Sequence, residues 1–125
     1  MSRDRGAAAI WVLGCGAMLL AVGMVIMLRT LAVLARHRAE SAADLAALAA
    51  AARIGVGTDI CAAARAVAAR NGGRLRRCSV QLAPDGRSGT VITTVLLRVQ
   101  LPLVGAGSVS ASARAARLPG VAPVP

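Results

Sequence analysis

The sequence predicts an α+β membrane protein: an N-terminal transmembrane helix continuing as a stalk, a second short helix, and a small three-stranded antiparallel sheet. Three observations carry this. Residues 6–28 are apolar and uncharged. Residues 29–53 contain no Gly or Pro and keep helical spacing. After Asn71-Gly72-Gly73 the helical period gives way to alternating and β-branched stretches separated by turn residues.

The first element is GAAAIWVLGCGAMLLAVGMVIML, residues 6–28. A helix of that length covers about 35 Å, enough for a hydrocarbon core of about 30 Å. Arg29 ends the run, and Trp11 sits near its start, where an amphipathic ring suits the membrane interface. The run continues past any small-residue cleavage site, which argues against a secretory signal. VLGC at 12–15 does not read as a lipoprotein site, because the apolar stretch before Cys15 is short and the stretch after it stays apolar. Gly14, Gly16, Ala17, Ala21 and Gly23 form a face for close helix packing, or simply follow a composition rich in small residues. Arg29, Arg36 and Arg38 outnumber Arg3 and Arg5, so charge alone slightly favours a cytoplasmic C-terminus.

Residues 29–54 are the expected stalk. Leu31, Leu34, Ala35, Arg38, Ala42, Leu45, Leu48, Ala49 and Ala52 fall at helical spacing and predict the apolar face. Arg36, His37, Glu40, Ser41 and Asp44 fall on another face, where Arg36 and Glu40 can pair. Gly55 and Gly57 mark the end. Residues 55–118 form the expected head. Thr58-Asp59 is an N-cap signal for a helix ICAAARAVAAR whose narrow face is Ile60, Ala64, Val67 and Ala68. Strands are expected over 75–83, 90–102 and 108–118, with PDGRSG at 84–89 as a turn. Residues 119–125 read as a disordered tail, and 1–5 as a basic N-terminus.

Composition narrows the function. All 15 basic residues are arginine, and the formal charge is +10. Nucleic acid, anionic lipid and acidic polymers are all compatible with that charge. The chain has one Trp and no Phe or Tyr, so its core is thin and would gain from a staple. Cys61 and Cys78 could provide one across a loop of about 17 residues, for roughly 3 kcal/mol. That requires an oxidising, extracytoplasmic side; the alternative is two buried thiols in a cytoplasmic domain. The anchor and the thin core favour the disulfide. No ligand set has metal-binding spacing, and no cofactor is expected. His37, Ser41 and Asp44 lie at i, i+4 and i+7, but a stripe on one helix lacks an oxyanion hole, so no catalytic residue is assigned. Arg74, Arg76 and Arg77 lack the interleaved aromatics of a nucleic-acid site.

RGAAAIWVLGCGAMLL followed by ARHRAESAADLAALAAAAR resembles the TadE/TadG-like family of Flp (tight-adherence) pilus-assembly proteins, over about residues 5–53. The family pattern runs from Glu40 through Ala42, Ala43 and Asp44 to Leu48, with Glu40 in place of the usual Gln. The chain looks like the short actinobacterial-type branch. The resemblance implies a cell-membrane, single-pass pseudopilin or minor-pilin-like protein, with a cytoplasmic N-terminus and an extracytoplasmic head. Its implied partners are the membrane and other pilin-like or secretion-system subunits, including copies of itself. It also implies a processing site at Gly6–Ala7, although a cut there would put Trp11 at the fifth position, where such precursors carry Glu. The expected function is structural rather than enzymatic. The alternative is a membrane-tethered basic module that binds an anionic cell-envelope polymer or lipid. Nucleic acid is not an expected partner.

Overall fold

A computed structural model describes residues 4–57 and 59–120. Five elements follow one another: helix α1 (Asp4–Ala51), helix α2 (Ile60–Arg70), and strands β1 (Gly73–Leu82), β2 (Gly89–Leu101) and β3 (Gly105–Arg117). This is the order expected from the sequence. The chain divides into two compact units, residues 1–33 and 34–125.

The first unit is helical in its described residues, and the side chains of its apolar run are open. Trp11, Leu13, Met18 and Leu20 are each more than 70% exposed. The helix is long and apolar enough to cross a membrane, with a mean hydropathy of 2.4 over its best window, none of it buried. Thr30 turns its hydroxyl back onto the Ile26 carbonyl at 3.0 Å. A hydroxyl satisfied in this way costs little in an apolar setting.

The second unit is a helix-covered antiparallel meander, in the order β1-β2-β3. β2 is the central strand and alternates cleanly. Val91, Thr93, Val95 and Leu97 face inward and are buried, while Ile92, Thr94 and Leu96 lie on the other face, half-buried. Ala111, Ala113 and Ala115 of β3 join the inward face. β1 contributes Leu75, Cys78 and Val80, and a register shift between Leu75 and Arg77 breaks its alternation. That bulge is why only partial alternation shows in the sequence there.

The core lies between this inward face and residues 35–54. Ala39, Ala42, Ala43, Ala46, Ala47, Ala50 and Ala51 are all buried, and Ile54 is fully so. From Ala35 onward, then, the segment expected as a separate stalk supplies one wall of the head's core. The predicted apolar face needs correction at its leucines: Leu45 and Leu48 are 46% and 61% exposed. The reason is distance. The Thr93 hydroxyl donates to the Ala43 carbonyl at 3.0 Å, a contact between sheet side chain and helix backbone that leucines between the layers would prevent. Alanine lets the backbones come this close, and the buried hydroxyl is satisfied in doing so.

Helix α2 packs on the same face through Ala64 and Ala68, with Ile60 partly buried, as its spacing predicts. Asp59 caps it, its carboxylate accepting from the Ala62 amide at 3.3 Å; Thr58 lies outside the described residues. At its far end the chain turns through Gly72 into Gly73. A Cβ at Gly73 would come within 2.5 Å of Val95 Cγ1 and 2.9 Å of Leu97 Cδ1, so a larger residue where β1 leaves the helix would force these core side chains to shift. The expected tail begins with a turn at 119–120, and residues 121–125 lie outside those described.

Candidate functional site

Three features of the chain bear on function: the motif-bearing part of α1, the cystine, and the outer face of the sheet.

In α1, the Glu40–Leu48 segment is divided between two faces. Ala42 and Ala43 are in the core. Glu40 is half-buried and accepts from Arg36 Nε at 2.9 Å, the pairing expected from their spacing, and His37 Nδ1 lies 3.5 Å from its other oxygen. Asp44 and Leu48 face solvent. Leu34, Arg38, Ser41, Leu45, Leu48 and Ala52 recur at steps of three and four, so they form one stripe, and all six are exposed. At 100° per residue this stripe lies opposite the alanine face. Periodicity alone puts leucine and alanine on the same face, so it does not show this division. The signal that could have found it is volume: the alanines, not the leucines, recur at the tightest spacing through Ala39, Ala43, Ala46 and Ala50.

His37, Ser41 and Asp44 are all exposed along this helix. His37 and Ser41 line a shallow depression of about 250 Å³ with Arg38, Ala42 and Asn71. Asp44 is not in its lining, so the three do not converge on one point. Asn71 is engaged locally, donating to the Val67 carbonyl at 2.9 Å. No group of three His, Cys, Asp or Glu suited to a metal occurs among the described residues.

Cys61 and Cys78 form a disulfide, with Cα atoms 6.0 Å apart and a sequence separation of 17. It joins the first turn of α2 to β1 just beyond the bulge, tying helix to sheet where large apolar side chains are few. The third cysteine, Cys15, is free and exposed within the apolar run. Gly14, Gly16 and Gly23 are in the same run, and a Cβ at any of them would meet nothing within 4 Å. The chain's own packing therefore places no demand on these glycines.

Two polar fixtures hold the head together. Arg117, at the end of β3, donates from Nη1 to the carbonyls of Ile54 at 2.6 Å and Ala52 at 3.3 Å. Helix α1 has no basic residue in its last turn, so a cation from the sheet covers carbonyls that follow it. In the β1–β2 turn, Asp85 accepts from the Arg87 amide at 3.1 Å and from the Ser88 amide and hydroxyl. Bonds from the Ser88 amide, then the Ser88 hydroxyl and the Arg87 amide, hold the Asp85 carboxyl below the ordinary carboxylate range.

The outer face of the sheet is polar and basic. Arg74, Arg77, Arg98 and Arg114 are exposed on it. Thr94 and Ser112 share a hydrogen bond of 2.8 Å across its middle.

No curated protein and no solved structure matches the chain. Residues 6–53, which hold the apolar run and the motif, match the family model described as Tad, putative Flp pilus-assembly TadE/G-like, so that segment is similar to this family.

Proposed function

We propose that the protein is a single-pass, non-catalytic pseudopilin or minor-pilin-like subunit of a tight-adherence pilus or a related secretion assembly. The observation that carries this is the exposed stripe of α1. The family-matching segment uses its alanines for the chain's own core and leaves Leu45 and Leu48 in solvent beside Asp44. Together with Leu34 they gather exposed apolar surface on one face of the helix, and such a patch marks a contact surface. In this reading the stripe packs against other subunits or copies of the chain. Gly14, Gly16, Ala17, Ala21 and Gly23 do the same inside the bilayer, where small residues let helices approach. The cystine supports a head on the extracytoplasmic side and a cytoplasmic N-terminus, since disulfides persist in oxidising compartments. Gly6–Ala7 remains the junction at which a processing peptidase would act.

The test is crosslinking in intact cells. In a Cys15→Ser background, Leu48→Cys treated with a short bismaleimide gives a crosslinked dimer, while the same substitution at Ala66, exposed on α2, gives monomer. Monomer at both positions would overturn the assembly reading. A C-terminal tag protected from protease outside intact cells would overturn the orientation, and the mass of the mature N-terminus decides processing at Gly6. A second reading, a membrane-tethered module for an anionic envelope polymer or lipid, draws its support from the arginines of the outer sheet face.

A further inference from the structure

The outer face of the sheet carries a regular array. The strand register puts Arg114 opposite Ile92 and Arg77 opposite Thr94. Arg74 lies opposite Leu96, and Arg98 is the next outward residue of β2. Four successive outward rows thus hold one arginine each. Rows on one face are about 7 Å apart and strands about 4.8 Å apart, so the array is about 20 Å long and about 10 Å wide. The three strands contain no Asp or Glu. Among the described residues, the only ion pairs are those of Glu40 with Arg36 and His37, so none of the four arginines has one. The side chains between them are small or hydroxylic, and Ile92 and Leu96 are half-buried beneath their neighbours.

We propose that this face binds a linear, non-nucleic polyanion carrying repeated phosphate or carboxylate groups, laid along the strands. Each guanidinium offers a planar fork of donors matched to such groups. The spread of the charges excludes a single enclosed anion and suits a repeating one. No large apolar side chain is exposed in the array, as insertion into a bilayer would need. No aromatic ring is available for base stacking either, since the only aromatic residue is Trp11 in the apolar run. The charge complementarity is therefore with a hydrated chain of anions. This site belongs to the second reading above and needs none of the α1 contacts of the assembly reading. Loss of polymer binding leaves the Leu48→Cys crosslink intact, and loss of the crosslink leaves polymer binding intact.

The experiment uses the full chain in neutral detergent, with fluorescent long-chain inorganic polyphosphate and poly-glutamate as probes at about 50 mM salt, where attraction to polyanions is strong. Binding to at least one polymer is expected, falling steeply as salt rises; which polymer binds names the anion. Arg77→Gln with Arg114→Gln weakens binding by about 25-fold, roughly fivefold per cation facing an anionic surface. Arg65→Gln with Arg70→Gln on α2 removes the same charge and changes affinity less than about twofold, because those charges lie outside the array. Arg77→Lys with Arg114→Lys keeps the charge but loses the forked donors, so its affinity falls between wild type and the glutamine pair, and unchanged melting shows that the variants fold. Equal losses in the two glutamine pairs would reduce the effect to net charge and overturn the site. Binding to neither polymer would overturn the proposal. So would tighter binding to single-stranded DNA or to anionic phospholipid vesicles, which would assign the face a different occupant.

Discussion

Asp85 shows how a single turn residue contributes to stability through its ionised form. Its carboxylate accepts both the amide and the hydroxyl of Ser88, and the Arg87 amide, so its pKa in the folded protein lies below the ordinary carboxylate range. A depressed folded value means stability that is present above the unfolded value and lost as pH falls through the folded one. Asp85→Asn therefore lowers the melting temperature at neutral pH, and the gap from wild type narrows once pH drops below about 4. A gap that stays constant from pH 7 to pH 3 would show that the carboxylate's charge plays no part. Legibility at this scale was uneven. PDGRSG announces a turn, because Pro, Asp and Gly each suit one. The partnership of Thr93 with the Ala43 carbonyl was not legible, because 50 residues separate the two.

At the scale of the element, α1 beyond Ala35 holds the main lesson. One helix has two opposite faces whose substitutions should behave in opposite ways. Ala46 is fully buried against the sheet, so Ala46→Leu overpacks the layer and costs about 1–3 kcal/mol in a denaturation experiment. Leu48 is 61% exposed, so Leu48→Ala changes stability by less than about 0.5 kcal/mol while weakening assembly in cells. If Leu48→Ala destabilised the isolated protein as much as Ala46→Leu, the orientation of the helix would be wrong. The inner face of helix α2 is legible in its spacing: of the expected Ile60, Ala64, Val67 and Ala68, the two alanines are buried and the other two partly so. Strand β2 is equally clear in the sequence, because its run is β-branched and apolar. β1 was blurred by its bulge, which shifts the pattern by one residue between Leu75 and Arg77.

At the scale of the whole molecule, the second unit is held by a thin layer of alanines, a few valines, Ile54 and one cystine. Replacing both Cys61 and Cys78 with Ala should lower its stability by roughly 3 kcal/mol, the value of closing a loop of this size in the unfolded chain. Thermal unfolding with and without reductant reads the same quantity, and an unchanged midpoint would show that the staple is dispensable. The sequence by itself determined the apolar run, the order of helices and strands, the turn sites and the segment similar to the TadE/G-like family. Each of these depends on residues near one another in the chain, where periodicity, caps and breakers act. Tertiary structure alone decided which side of the alanine-rich helix is inside, and that four arginines from three strands share one face. Alanine and leucine favour a helix almost equally, so propensity cannot choose the buried side; the choice falls to the face that lets helix and sheet approach most closely. The arginines meet only through strand register, which depends on pairings far apart in sequence.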